Sequence, residues 1–370
     1  MKICILTQPL GHNYGGIIQN YALQKVLKEM GHDVWTEDKK PNKKNFLSKI
    51  KKMCFVRLLF GKKKLITLSS TEKVIIEQNL RQFIKKNIQT TIPIPSSNKR
   101  ELLKYNFDAY IVGSDQVWRP RYSDNIYNYF LDFTKGLQVK RMAYAASFGV
   151  DNWEFTDEQT KECKKLAQQF DFISVREDSG IELCKSHLGI DAIQVLDPTL
   201  LLEKEDYISL INKIKKNKKE KSLMVYVLDK TTDKENIIQK ISEHLGLKIN
   251  SVLPKQLHSN RLQEKIEACI LPPVIEWIKG FMDADFVVTD SFHGTIFSII
   301  FNKPFISIGN KSRGLSRFTS LLKNFGLENR LILSSDDLTK ELIEAPIDFK
   351  KVNIIKEQQK QIAIKFLTKI

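Results

Sequence analysis

Short apolar runs alternate with helix-patterned segments along almost the whole chain, and this alternation constrains the fold more than any single motif. Residues 3–8 are a short apolar run followed by a glycine-rich turn. Over 17–30, Ile18, Ala22, Val26 and Met30 share one helical face, and Gly31 stops the segment. Residues 33–36 start a second strand. Residues 108–112, 142–146 and 172–175 read as further buried strands. Helices are predicted over about 71–87, from about Thr156, and after Arg176; Ser69 with Glu72 has capping-box spacing, and Gln159 follows Thr156 by three residues. A short strand over 193–196 ends in Asp197-Pro198-Thr199, and the pattern restarts. Helices follow over about 204–216, 233–245, 274–282 and 294–301, and strands over 222–228, 248–253, 286–289 and 305–308. Strands joined through helices pair in parallel, with helices on both faces. The fold class is therefore α/β: two doubly wound Rossmann-like domains facing a cleft, over 1–190 and 191–346, with a closing helix over 347–370. Ligands of such sheets bind where the carboxyl ends of the strands open.

Charge narrows the partners. Lys plus Arg number 59 against 43 Asp plus Glu, a formal net charge of +16, which predicts an anionic partner. Eleven of the cations lie over 39–64 with no acidic residue among them, interleaved with Phe46, Leu47, Ile50, Met53, Phe55, Val56, Leu58, Leu59 and Phe60. That pattern suits an interfacial helix on an anionic membrane surface, a helix docked on its own domain, or a nucleic-acid contact. No RNP, KH, zinc-finger or helix-turn-helix signature supports the last, so no nucleic acid is expected as a partner. No apolar run is long enough to span a bilayer, and the first residues are too short an apolar stretch for a signal peptide. Cys4, Cys54, Cys163, Cys184 and Cys269 are odd in number and form no CxxC, so free thiols in a reducing cytoplasm are expected, with no metal.

Four strand-end loops carry polar chemistry. The first, 7–16, holds Asn13, Tyr14, Gly15 and Gly16, with Gln19 a turn later; it is either a tight turn or a place where backbone N–H groups meet a ligand. His12 lies in it as a minor candidate. The second, 112–119, crowds Ser114, Asp115 and Gln116 for sugar hydroxyls, with Trp118 to stack on a sugar face; alternatively Asp115 caps a helix. Third, Arg176 at a strand end can clamp a carboxylate or phosphate bidentately, or form a structural ion pair. Fourth, His293 lies between strand and helix, flanked by Asp290, Ser291, Gly294 and Thr295, where a catalytic role outweighs a core one.

Read together, GHNYGGIIQNYALQ, GSDQVW, AYAASFG, SVREDSG, VLDPTLLL and TDSFHGTIFSIIFNKPF occur in an order that resembles the polysaccharide pyruvyl transferase family over about residues 3–327. The resemblance implies a glycosyltransferase-B-like pair of domains. It implies transfer of pyruvyl from phosphoenolpyruvate, as co-substrate, onto a sugar to give a pyruvate ketal, the acceptor commonly being a polyprenyl-diphosphate-linked oligosaccharide. It places the catalytic histidine on His293 and a donor-binding arginine on Arg176. Arg313, Arg317 and Lys311 compete for a second basic role. Well-studied members carry Arg two residues before the histidine, where this chain has Ser291. The implied location is cytoplasmic, peripheral at the inner face of the membrane. A nucleotide-sugar glycosyltransferase of the same architecture and a non-catalytic basic binding protein are the alternatives; the oligomeric state stays open.

Overall fold

A computed structural model describes residues 1–11, 13–40, 69–211, 220–254, 266–310 and 314–370. His12, Lys311, Arg313 and the basic segment from residue 41 on lie outside the described residues.

The first half builds β1 (Lys2–Leu6), α1 (Tyr14–Glu29), β2 (Asp33–Thr36) and the short β3 (Lys39–Lys40). It continues with α2 (Ser70–Ile76), α3 (Gln78–Asn87), β4 (Ile94–Pro95), β5 (Ala109–Asp115) and β6 (Lys140–Ala146). Next come α4 (Asp157–Ala167), β7 (Phe172–Val175), α5 (Asp178–Leu183) and β8 (Ile193–Gln194). Six strands pair in parallel in the order β2-β1-β5-β6-β7-β8, and β3 with β4 makes a separate pair. The seven residues of β5 are all buried, as expected for a central strand covered on both faces. Local chemistry sets the helix ends. Asn13 caps α1, and both Ser69 and Thr156 form complete capping boxes. The helix predicted over 71–87 breaks at Glu77, giving α2 and α3. Because β8 belongs to the first sheet, that sheet runs past residue 190.

The second half builds α6 (Lys204–Ile211), β9 (Ser222–Tyr226), α7 (Thr232–Leu245), β10 (Lys248–Ser251), α8 (Val274–Asp283) and β11 (Phe286–Thr289). It ends with α9 (Phe292–Ile300), β12 (Phe305–Ile308), α10 (Ser316–Phe325), β13 (Leu331–Ile332), α11 (Lys340–Glu344) and α12 (Phe349–Leu367). Its parallel sheet runs β10-β9-β11-β12-β13. Strands β3, β4 and β13 have two residues each, too few to carry a periodicity.

The halves share one core. Tyr14 of α1 stacks on Trp277 of α8 at 5.7 Å and donates to the Pro272 carbonyl at 2.7 Å. The closing helix α12 returns to the first sheet, with Phe366 against Tyr144 and Phe172 at 6.3 and 6.4 Å. Its Lys356 and Lys360 both hold Glu203, just before α6, at 2.6 Å. These contacts bring the carboxyl ends of the two sheets to face each other. Among the described residues no helix is long and apolar enough to cross a membrane.

Candidate active site

His293 is presented by a turn that the rest of its loop builds. β11 ends at Thr289, and Asp290 turns back to accept from the Leu228 and Asp229 amides at 2.7 and 3.0 Å and from Lys234 Nζ at 2.6 Å. Ser291 then caps α9, accepting from the Gly294 amide at 3.4 Å. Thr295 Oγ1 bonds to Ser307 Oγ at 2.7 Å inside the second domain. His293, second in α9, is thereby aimed across the cleft. Its ring lies on Gly15 of α1: a Cβ built there would fall 2.1 Å from Nδ1. Glycine in that turn is what lets the two domains meet at the histidine. A second close approach lies nearby. Gly314, with φ +95°, sits so tightly on the Gly149 carbonyl that a Cβ would fall 1.6 Å from its oxygen.

Arg176 follows β7 and reaches the same point from the first domain. Its Nη1 donates to Asp197 Oδ2 at 2.9 Å, and its Nη2 stands 3.5 Å from Asp115 Oδ1. Asp197 Oδ2 is also 3.6 Å from His293 Nε2 and accepts from Ser114 Oγ at 3.3 Å. Phe292 fills the space beside this group, and its ring carries two guanidiniums: Arg176 at 4.5 Å and Arg317 at 5.4 Å. Arg176, Arg317 and His293 are all more than nine-tenths buried. Arg176 Nε and Nη2 and His293 Nε2 make no hydrogen bond among the described residues. Buried cationic donors of this kind are what a polyanionic ligand recruits.

The electrostatics are those of a balanced cluster. Burial works against a charge on Asp197, but His293, Arg176 and Thr199 outweigh it and hold the carboxyl well below the usual range. Burial would also lower Arg176; Asp197, Asp115 and Glu177 more than offset it, so its affinity for its proton rises. Arg317 is pulled down to about 10 by burial, with Arg176 adding to the fall. Glu177 is buried and accepts from the Phe148 and Gly149 amides at 2.7 and 3.0 Å, which fixes the loop beneath the arginines.

Several expected ligand residues serve other ends. Trp118 cannot stack on a sugar: it is fully buried, lies parallel to Phe130 at 5.1 Å and donates to the Tyr129 carbonyl at 3.0 Å. Tyr14 is spent on the domain interface and Gln19 on Thr7 and the Gly16 carbonyl. Gly15 makes room for His293, and Gly16 packs near Asp115. Ser291, Gly294 and Thr295 shape the start of α9: Ser291 caps it, Gly294 packs against Thr289 and Thr295 bonds to Ser307. Ser114 and Asp115 join the Asp197–Arg176 network, while Gln116 Oε1 accepts from Arg119 at 3.3 Å. Asn13 is exposed, and its side chain caps α1.

Sequence reasoning missed Asp197, Thr199, Phe292 and Glu177, which the structure packs around His293 and Arg176. A signal for Asp197 existed. Val175 pairs with Gln194 across β7 and β8, so Arg176 and Asp197 follow neighbouring strand ends. Tyr122 is the exposed aromatic beyond β5, 43% accessible, with the Arg119 guanidinium 5.0 Å from its ring centre and Glu154 gripping that guanidinium through two 2.9 Å bonds.

Residues 13–312 match the family described as Polysaccharide pyruvyl transferase, a span that takes in the glycine turn, Arg176, Asp197 and His293. The chain belongs to that family. It is accordingly a transferase of polysaccharide pyruvylation. A search of curated proteins found no match. Among solved structures, the UDP-GlcNAc 2-epimerase from Neisseria meningitidis bound to UDP-GlcNAc is similar at 10% identity and TM-score 0.55, covering 100% of both chains. Arabidopsis thaliana UGT89C1 complexed with UDP-L-rhamnose is similar at 8% identity and TM-score 0.55, covering 99% of this chain and 98% of that one. S. aureus MnaA in a co-structure with UDP shows 14% identity and TM-score 0.51, covering 96% and 91%. At these identities the likeness is one of fold, and it makes this pyruvyl transferase family member glycosyltransferase-B-like.

Proposed function

We propose that the chain moves the pyruvyl group of phosphoenolpyruvate onto two hydroxyls of one sugar, closing a pyruvate ketal. The observation that carries the reading is the meeting of His293 with two buried arginines, Arg176 and Arg317, on the single Phe292 ring between the domains. Phosphoenolpyruvate carries close to three negative charges and needs several cationic donors. Arg176 offers Nε and Nη2, and Arg317 supplies the charge that Ser291 does not. Protonated His293 gives its proton to the C3 methylene, leaving an oxocarbenium-like C2. A sugar hydroxyl adds there and returns a proton to the histidine. Phosphate then leaves, and the second hydroxyl closes the ring, its proton departing with phosphate. A positioned general acid contributes about 10²–10⁴-fold.

Tyr122, at the rim beyond β5, is the aromatic face offered to the acceptor sugar, with Gln116 beside it for hydroxyls. The acceptor is a polyprenyl-diphosphate-linked oligosaccharide, met at the inner membrane face by the basic segment over 39–64. The test is a phosphate-release assay with extracted lipid-linked oligosaccharide, comparing phosphoenolpyruvate with UDP-sugars. Acceptor-dependent release from phosphoenolpyruvate is expected. Turnover of a UDP-sugar alone would overturn the reading.

A further inference from the structure

Asp197 stands at the point where the chain leaves the first sheet for the second, and it is buried together with the groups it touches. Four donors converge on it. Oδ1 accepts from the Thr199 amide at 3.0 Å and from Thr199 Oγ1 at 2.7 Å. Oδ2 accepts from Arg176 Nη1 at 2.9 Å and Ser114 Oγ at 3.3 Å, and His293 Nε2 lies 3.6 Å away. Both oxygens thus face donors, so only the ionised carboxylate satisfies the site; an amide would set an NH₂ against either Thr199 or the arginine and histidine.

We propose that Asp197 is a positioning residue that couples the two halves of the site: it aims Arg176 from the first domain and gives the protonated His293 ring of the second domain its counter-charge. This rests on the transfer reading above. The groups facing His293 fit the assignment. Asp197 lies across from Nε2 and Arg176 bonds the same carboxylate oxygen. Gly15 covers the Nδ1 side and the Phe292 ring meets the imidazole edge-on at 5.4 Å. Asp115 and Glu177 lie beyond Arg176, and Arg317 shares the Phe292 ring with Arg176. When His293 passes its proton to the donor carbon, Asp197 keeps Arg176 as its partner, so no carboxylate is left buried and unpaired. The acceptor hydroxyl then restores the proton. A merely structural Asp197–Arg176 bridge would affect melting and leave the histidine's titration where it was.

The test compares wild type with Asp197→Asn. His293 is followed by side-chain NMR of ¹⁵N-histidine protein, its signal assigned by its loss in His293→Gln, and kcat is measured against pH with phosphoenolpyruvate and acceptor. Removing the anion destabilises the imidazolium. The His293 midpoint and the alkaline limb of kcat should therefore both lie at lower pH in Asp197→Asn than in wild type. kcat should fall about 100-fold, and phosphoenolpyruvate affinity, by calorimetry, should fall as well, because Arg176 loses its charged anchor. An unchanged His293 midpoint overturns the assignment whatever the activity. Wild type that releases no phosphate from phosphoenolpyruvate instead refutes the transfer reading, and the NMR comparison still judges Asp197. Should Asp197→Asn fail to fold, Thr199→Val replaces it: the charge stays and one donor to Oδ1 is lost. kcat should then fall about tenfold with phosphoenolpyruvate binding unchanged, and an unchanged kcat overturns the proposal.

Discussion

Gly15→Ala separates what local propensity favours from what the cleft permits. Gly15 is in α1, and its φ is not in the left-handed region, so alanine should stabilise the isolated helix by about 1 kcal/mol. The added Cβ would fall 2.1 Å from His293 Nδ1, 2.3 Å from Cγ and 2.8 Å from Cε1, each well inside ordinary van der Waals contact. The ring must move by more than about 1 Å or the domains must part. Overpacking of that size costs about 1–3 kcal/mol, so the net change in stability should be within about 2 kcal/mol of zero. Catalysis is less tolerant: a 1 Å displacement of a reacting group costs about 10²-fold. Melting curves and phosphate release with phosphoenolpyruvate and acceptor give both quantities. The expected result is a folded protein with a similar Tm and kcat reduced about 100-fold. Wild-type kcat in Gly15→Ala would refute the close approach of α1 to His293 in the working enzyme.

His293→Gln should lose at least about 100-fold in turnover with its circular dichroism unchanged, and wild-type activity would remove the histidine from the mechanism. Arg176→Lys should not restore donor binding, because an ammonium cannot replace the fork that reaches Asp197 and a ligand together; Arg317→Ala should raise the phosphoenolpyruvate KM nearly as far as Arg176→Ala. Tyr122→Ala should raise the acceptor KM several-fold with the donor KM unchanged, whereas equal effects on both would make the ring a structural part of the rim. Changing Lys49, Lys51, Lys52, Lys62, Lys63 and Lys64 to Gln should abolish salt-sensitive binding to anionic vesicles and spare turnover on a soluble acceptor. If wild type binds no vesicles at low salt, the basic segment serves another purpose.

The strands and most helices were legible because each carries its own periodicity and stop signals: Gly31 after α1, and the Ser69 and Thr156 capping boxes, act within a few residues of themselves. The sequence places His293 and Arg176 in loops that follow the carboxyl ends of strands, where a doubly wound sheet opens, and the structure brings the two together there. Trp118 was misread. Its loop position suggests a cleft, but only the packed structure shows Phe130 and Phe148 closing over it. Asp197 reads in the sequence only as the end of a strand, in Asp197-Pro198-Thr199, because its partners lie just after β7, within β5 and in α9, and long-range convergence leaves no local pattern. The glycine at position 15 read as a ligand turn, when the group that approaches it is this chain's own histidine.

Protonation of the donor carbon by His293, followed by ketal closure on the sugar, is most directly tested by running the reaction in D₂O and examining the product by NMR. The account predicts a pyruvate ketal on the acceptor whose methyl group carries solvent-derived deuterium, formed together with inorganic phosphate, and absent with His293→Gln. An enolpyruvyl ether with its methylene intact, or transfer of a sugar in place of the pyruvyl group, would contradict it.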